Sequence, residues 1–257
     1  VPSRLHQGTY YALPQAPQQF KQLLMVGGFD RYFQIAPCFR DEDTRNDRAY
    51  GEFYQFDMEM SFATQEDVFE IMEPVMKEIT EKLSSKKNCN LEADGRFRRL
   101  PWREAMETYG TDKPDLRYDL FIKPISEFVK DTEFVGFTDA LKDGGVVHAL
   151  HVPNAVATFS RKVTDELKDL AMKKKISAFA TLSVEANGEV KSSLSKFLTP
   201  ETLQLIADAI GAAAGDLVIM ASGPWQNVCE ALGAVRVESA KRLNLQDPSK
   251  AAWCSVL

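Results

Sequence analysis

Charged side chains occupy alternate positions of two strand-like segments in the first quarter of the chain. The first segment, residues 32–40, ends on Arg40, and the second, residues 53–62, carries Asp57 near its centre. An arginine guanidinium can bind a phosphate or a carboxylate through two parallel hydrogen bonds, and an aspartate can hold an ammonium group. If the two segments pair, Arg40 and Asp57 lie on one face, which could then be the floor of a site for a small zwitterion.

Strict alternation defines the two faces of these segments. The second segment places Tyr54, Phe56, Met58, Met60 and Phe62 on one side and Gln55, Asp57, Glu59 and Ser61 on the other. The first places Phe33, Ile35, Pro37 and Phe39 opposite Gln34, Cys38 and Arg40. Because the side-chain period of a strand is two, the pattern predicts a hairpin with one apolar core face. The polar face has two interpretations, a solvated surface beside a long charged flap or a ligand floor.

A helix is predicted just before the hairpin. Pro17 suits its first turn and the pair Gly27-Gly28 suits its end. Gln18 and Lys21 are three residues apart, so they are neighbours on the surface of this helix. They could form a binding pair or could simply be solvated.

The rest of the chain predicts alternating helices and strands. A helix over residues 64–87 begins at a capping box of Thr64 and Asp67, with a kink or break near Pro74. Further strands are predicted at residues 133–137, 146–152, 176–184 and 217–221, and further helices at residues 160–173, 200–210 and 226–243. Asn187-Gly188 marks a hairpin turn. The fold class is therefore α+β, with a domain boundary near residue 118.

Composition excludes several classes of protein. The 257 residues are 44% hydrophobic and 26% charged, with a net charge of -6, which is ordinary for a globular chain and argues against a surface that binds nucleic acid everywhere, although a local basic site stays possible. Four scattered cysteines without CxxC spacing indicate reduced thiols of a cytoplasmic protein. No membrane span is expected, and no metal site, since His148 and His151 fall on opposite faces of a strand.

The hairpin resembles motif 2 of the class II aminoacyl-tRNA synthetases, in particular the bacterial-type aspartyl-tRNA synthetases. Residues 39–43 and 52–59 carry this likeness, and residues 15–25 resemble the segment that precedes motif 2. Residues 109–117 are similar to the lead-in of an inserted domain, and residues 160–162, 196–198 and 231–234 resemble that insertion, the GAD domain. The resemblance covers nearly the whole chain.

The resemblance implies a fold and an activity. The fold would be part of an antiparallel catalytic sheet with flanking helices (1–118), a separate α+β GAD-like domain (119–245), and a tail that returns to the catalytic domain (246–257). The activity would be the activation of L-aspartate by ATP, assisted by Mg²⁺, to aspartyl-adenylate, and transfer of the aspartyl group to tRNA-Asp. Whether tRNA-Asn is also charged is left open, and the parent protein would be a homodimer.

The resemblance also assigns roles at the aspartate site. Arg40 would bridge the α-phosphate and the α-carboxylate, and would be the catalytic residue. Asp57 would pair with the substrate ammonium. Lys21, supported by Gln18, would hold the side-chain carboxylate.

At the ATP site, Arg40, Asp41, Glu42 and Phe53 would be the binding residues. Glu42 would contact the adenosine end, and Phe53 would stack on adenine. Gln55 and Glu59 would support the aspartate and ATP sites.

Departures from the family pattern qualify this assignment. The loop before Glu52 lacks a glutamine that touches ATP in many relatives, and motifs 1 and 3 and the anticodon-binding barrel are not present in the sequence. We therefore expect a fragment with little activity of its own. Two alternatives remain open, a non-catalytic synthetase-like protein that binds RNA or a partner protein, and a sister synthetase for asparagine or lysine, which Lys21 and the GAD-like region disfavour.

Overall fold

The computed structural model describes residues 2–40, 52–83 and 91–247, together with the backbone of residues 254–256. The chain divides into two compact units, Val1–Val75 and Met76–Leu257. Antiparallel sheets with flanking helices confirm the predicted α+β class. The domain boundaries at 118 and 245 stay a prediction.

The first unit is built around the predicted hairpin. Helix α1 (Gln18–Val26) follows Pro17 and ends at Gly27, and strands β1 (Arg31–Phe39) and β2 (Glu52–Met60) pair antiparallel. The register sets Gln34 opposite Asp57 and Ile35 opposite Phe56. Because directly opposed residues share a face, the two faces have the members that the alternation predicts.

The burial of these two faces is the reverse of the prediction. On the apolar face, which was expected to be core, Phe33, Ile35 and Tyr54 are each more than 65% exposed in this structure. On the polar face Cys38 and Asp57 are buried. Helix α1 packs against this hairpin with Lys21 buried, so the helix covers the polar side.

The predicted capping box is confirmed at the start of the next helix, α2 (Gln65–Leu83). The backbone N–H of Thr64 donates to Asp67 Oδ2 at 2.7 Å, and the backbone N–H of Asp67 donates to Thr64 Oγ1 at 3.4 Å. The helix continues through Pro74 as a single element, so a break there is wrong, while the kink stays a prediction. Residues 84–87 of the predicted helix lie outside the described residues.

The second unit contains a five-stranded antiparallel sheet. The helices and strands that follow α2 are β3 (Arg98–Leu100), α3 (Trp102–Tyr109), β4 (Ile122–Pro124), α4 (Ser126–Val129), α5 (Val135–Lys142), β5 (Val146–Val152), α6 (Arg161–Met172), β6 (Ala178–Val184), β7 (Val190–Ser192), α7 (Pro200–Ile210), β8 (Leu217–Gly223), α8 (Trp225–Arg242) and β9 (Cys254–Val256). The sheet order is β4-β5-β8-β6-β7, and β3 pairs in parallel with β9. Helices α6 and α8 cover one face and α4, α5 and α7 the other.

Most sequence predictions for this unit are confirmed. Strands β5, β6 and β8 and helices α6, α7 and α8 lie where they were predicted, and Gly188 forms the predicted turn with a φ of 84°. The strand predicted at residues 133–137 is wrong, because α5 begins at Val135. Its apolar run is too short to separate the two periods; Phe137 is buried while Val135 faces out, which is a helical arrangement.

A buried arginine joins α8 to the segment before β4. The Arg236 guanidinium is fully buried and donates to the backbone carbonyls of Asp115, Tyr118 and Leu120 at 2.6–3.1 Å. Its carbon also lies 4.2 Å from the centre of the Tyr118 ring. A buried charge is tolerated only when its hydrogen bonds are met, so these carbonyls fix the segment on α8.

The sequence also led to predictions about the cysteines, about metal sites and about membrane-spanning helices. Cys38 and Cys229 are free and buried, while the side chains of Cys89 and Cys254 lie outside the described residues. Among the described residues no group of three or more His, Cys, Asp or Glu side chains is arranged to hold a metal ion. None of the described helices is long and apolar enough to cross a membrane.

The burial of His148 predicts that the stability of the second unit depends on pH. Burial lowers the pKa of this histidine below its ordinary 6.5, although the charge of Glu107 opposes the shift, and within the described structure its Nδ1 has no hydrogen-bond partner. As the pH falls, His148 therefore binds a proton at a higher pH in the unfolded chain than in the folded one. Neutral His148 makes its full contribution to the free energy of unfolding above the pKa that this histidine has in the unfolded chain. That contribution is lost as the pH falls from the pKa of the unfolded chain toward the lower pKa of the folded chain.

We expect wild type to lose about 1 kcal/mol more unfolding free energy than His148→Gln between about pH 7.5 and pH 5.5. Urea unfolding at both pH values measures this difference. Above about pH 7.5 the two proteins should show parallel pH dependence, which serves as the internal control. Equal losses on acidification would contradict the assignment to His148.

Candidate active site

A lysine from α1 reaches the polar face of the hairpin. Lys21 Nζ lies 2.8 Å from Asp57 Oδ1 and 3.1 Å from Glu59 Oε2. Lys21 and Asp57 are 8% and 7% exposed, whereas the Glu59 side chain is 37% exposed. Asp57 and Glu59 are two positions apart on β2, so their side chains project to the same side, and α1 delivers the ammonium between them.

The two carboxylates keep Lys21 charged. The hydrogen bond to Asp57 is the main cause that raises the pKa of the Lys21 ammonium; burial opposes it, and the hydrogen bond to Glu59 adds to the increase. Desolvation alone would favour the neutral amine. The site therefore presents a fixed cation in a largely buried position.

Asp57 uses only one of its oxygens in this contact. Oδ1 accepts from Lys21, and within the described structure Oδ2 is buried without a hydrogen-bond partner. A buried acceptor without a donor costs about 1–3 kcal/mol. This oxygen is therefore suited to accept from the ammonium of a ligand.

Arg40 and Phe53 form a second contact at the other end of the same face. The Arg40 guanidinium carbon lies 5.0 Å from the centre of the Phe53 ring, which is a cation–π distance. Gln55 lies between Phe53 and Asp57 along this face of β2, and Cys38 Sγ is 3.6 Å from Gln55 Oε1. The face thus runs from a guanidinium and an aromatic ring to an ammonium and two carboxylates.

The structure places five of the nine predicted site residues in two clusters on this face. Lys21, Asp57 and Glu59 form one cluster, and Arg40 and Phe53 form another. Gln18 is exposed one turn before Lys21. Asp41 and Glu42 lie outside the described residues.

The direct contact between Lys21 and Asp57 was not predicted from sequence. The two residues had been expected to hold opposite groups of a ligand. A signal was nevertheless available, because a lysine on a covered helix face needs a carboxylate partner, and Asp57 and Glu59 were the acidic residues on the adjoining polar face.

Comparison with known proteins identifies the family to which this arrangement belongs. Residues 1–216 match the model for class II tRNA synthetases (D, K and N). The chain belongs to the class II tRNA synthetases of the D, K and N group. The resemblance seen in the hairpin is thereby confirmed at the level of the family.

Individual relatives are similar to this class II synthetase chain over nearly the whole length of the chain. It is 45% identical over 254 residues to the Aspartate--tRNA(Asp/Asn) ligase of Rickettsia prowazekii (strain Madrid E), 44% to that of Rickettsia bellii (strain OSU 85-389) and 43% to that of Rickettsia felis (strain ATCC VR-1525 / URRWXCal2). Each match covers 99% of this chain but 41–42% of the relative. The chain therefore spans about two fifths of the length of the curated relatives it matches.

Proposed function

We propose that these residues are part of an aspartate–tRNA ligase, which activates L-aspartate with ATP to aspartyl-adenylate and transfers the aspartyl group to tRNA-Asp. The observation that carries the proposal is the cluster of Lys21, Asp57 and Glu59 on the same hairpin face as Arg40. Family membership and the similarity to aspartate--tRNA(Asp/Asn) ligases support it. The names of the relatives also extend the proposal to tRNA-Asn.

Aspartate carries three charged groups, and the face offers a partner for each. Lys21 binds the side-chain carboxylate, and Arg40 binds the α-carboxylate. The Oδ2 of Asp57, which has no partner among the described residues, accepts from the α-ammonium. Lys21 and Asp57 are 2.8 Å apart, and each keeps a group for the ligand, since the ammonium has a third N–H and Asp57 uses only Oδ1 in this contact. Gln18 and Gln55 are assigned supporting positions.

The chemical step requires stabilisation of charge at the α-phosphorus of ATP. An aspartate α-carboxylate oxygen attacks this phosphorus, the bond to the bridging oxygen breaks, and pyrophosphate leaves. Arg40 can hold both the attacking carboxylate and a phosphate oxygen with its planar fork, and such positioning and charge stabilisation can supply much of the acceleration. No covalent intermediate with the protein is needed.

Phe53 would stack on adenine, and Asp41 and Glu42 would contribute to the ATP site. Magnesium would neutralise the ATP phosphates. The described residues contain no cluster of three or more His, Cys, Asp or Glu side chains that could hold a metal ion.

The choice of aspartate over lysine or asparagine follows from the charge of Lys21. The family includes all three specificities. The Lys21 ammonium is a donor only, so it cannot hydrogen-bond to the ammonium of a lysine side chain, and it loses a charged hydrogen bond with an asparagine amide. A site built for a polar group discriminates strongly against a ligand that lacks it. The remaining proposals, a homodimer, a cytoplasmic location and a GAD-like domain at 119–245, rest on the family alone.

Lys21→Met in the natural full-length chain tests this function. Aspartate-dependent ATP–pyrophosphate exchange should require about 100-fold more aspartate in the variant, because the buried cation for the side-chain carboxylate is gone. Asparagine and lysine should support little exchange with either protein.

Lys174→Met is the control, since it removes a lysine that pairs with Glu230 at 3.2 Å in the second unit. It should leave the aspartate requirement unchanged. An unaltered aspartate dependence in Lys21→Met would show that this lysine does not hold the side chain.

A further inference from the structure

The Lys21 cluster contains one carboxylate more than the lysine needs. Asp57 alone would neutralise the ammonium, and yet Glu59 also contacts it at 3.1 Å. Lys21, Asp57 and Glu59 together therefore carry a net charge of one negative unit. Asp57 is largely buried, and its Oδ2 has no partner among the described residues. The excess negative charge therefore lies next to an oxygen that can accept a hydrogen bond from a ligand.

This excess affects ligands differently according to their charge. Under the proposed function, a side-chain carboxylate at Lys21 is repelled by Glu59, and an ammonium at Asp57 is attracted by it. In aspartate these two effects oppose each other. In a dicarboxylate of the same length without an ammonium, only the repulsion remains. Coulomb energies over a few ångström at a partly buried site are large enough to matter, and exposure of Glu59 moderates them.

We propose that Glu59 is a specificity-determining residue, whose surplus negative charge makes the α-ammonium a requirement and excludes dicarboxylates that lack it. This inference rests on the proposed function and deepens it. It is an example of selectivity obtained by an element unfavourable to the wrong ligand. Asp57 is the direct partner of the ammonium, and Glu59 repels a dicarboxylate that has no ammonium.

Glu59→Gln in the full-length chain tests the proposal. The probe is succinate, which has the two carboxylates of aspartate and no ammonium. We measure the KM for aspartate in ATP–pyrophosphate exchange and the Ki of succinate as a competitor. The preference for aspartate over succinate should fall about tenfold, mainly because succinate binds more tightly, while the KM for aspartate changes less than about threefold.

Two further variants separate this role from others. Asp57→Asn should weaken aspartate by more than about tenfold without weakening succinate, because it removes the direct partner of the ammonium. Glu230→Gln is the matched control: its side chain is 36% exposed and lies 3.2 Å from Lys174, close to the exposure and distance of Glu59. It should leave the preference unchanged.

The outcomes distinguish the inference from the function on which it rests. Equal weakening of aspartate and succinate in Glu59→Gln would mean a structural role, and an unchanged preference would mean no role; both overturn the inference alone. A wild-type protein whose exchange does not depend on aspartate would overturn the proposed function and the inference with it.

Discussion

Gly233→Ala is expected to lower the unfolding free energy of the Met76–Leu257 unit by about 3 kcal/mol or more, because the helix crossing at this residue has no room for a methyl group. A Cβ on Gly233 would lie 2.4 Å from the carbonyl oxygen of Gly110 and 2.9 Å from its Cα. A Cβ on Gly110 would likewise meet Gly233 Cα at 2.5 Å. The atoms on both sides of this contact belong to the backbone, so no side-chain rotation can relieve the clash.

Two effects of opposite sign compete at this position. Gly233 lies inside α8, where alanine favours the helix by about 1 kcal/mol. The clash forces α8 away from the end of α3, where Gly110 has a φ of 74° that alanine adopts poorly. We expect the clash to dominate, since the two backbones cannot separate without loosening the packing between α3 and α8.

Urea unfolding followed by tryptophan fluorescence measures this effect. Trp102 and Trp225 have ring centres 5.7 Å apart, one in α3 and one at the start of α8, so they report on the crossing. Ala234→Gly is the control at the next residue of α8, and it should cost only about 1 kcal/mol through helix propensity. A Gly233→Ala protein that is more stable than wild type would contradict the close packing.

If the proposed function is right, Arg40→Lys in the full-length chain is expected to reduce kcat/KM for aspartate-dependent exchange by a factor of about 10²–10³. Lysine keeps the positive charge but presents a point charge in place of the planar fork. It cannot hold a carboxylate and a phosphate oxygen in the same fixed plane. The loss should appear in kcat as well as in KM, because the geometry matters most as charge develops at phosphorus.

Arg103→Lys supplies the matched control for this substitution. The Arg103 guanidinium carbon lies 5.1 Å from the centre of the Trp225 ring, close to the 5.0 Å between Arg40 and Phe53. It therefore reproduces the loss of an arginine stacked on an aromatic ring at a position outside the proposed site. Exchange within about threefold of wild type for Arg40→Lys would show that the fork is not used.

Local chemistry in the sequence was sufficient for most elements of the fold. The alternation in β2 assigned its faces, because a strand has a period of two. The pair Thr64 and Asp67 marked the start of α2, and the two glycines after Val26 marked the end of α1. The residues that carry the family resemblance are also local in sequence, so motif 2 could be recognised without a structure.

Short apolar runs were not sufficient. Residues 133–137 fit a strand and a helix equally, and α5 was decided by the burial of Phe137 in the core of the second unit. The contact between Gly110 and Gly233 likewise joins residues far apart in the chain. Neither residue type nor spacing specifies which backbone will approach a distant glycine.

By itself, then, the sequence determined which residues of the hairpin share a face, because that follows from backbone geometry within each strand. The tertiary structure decided which face is covered, because that depends on where α1 packs. Placing α1 over the polar face buried Lys21 against Asp57 and Glu59 and left Phe33 and Ile35 exposed. A charge buried in this way must be paired, and this requirement turns a pattern of alternating residues into a candidate site for an amino acid.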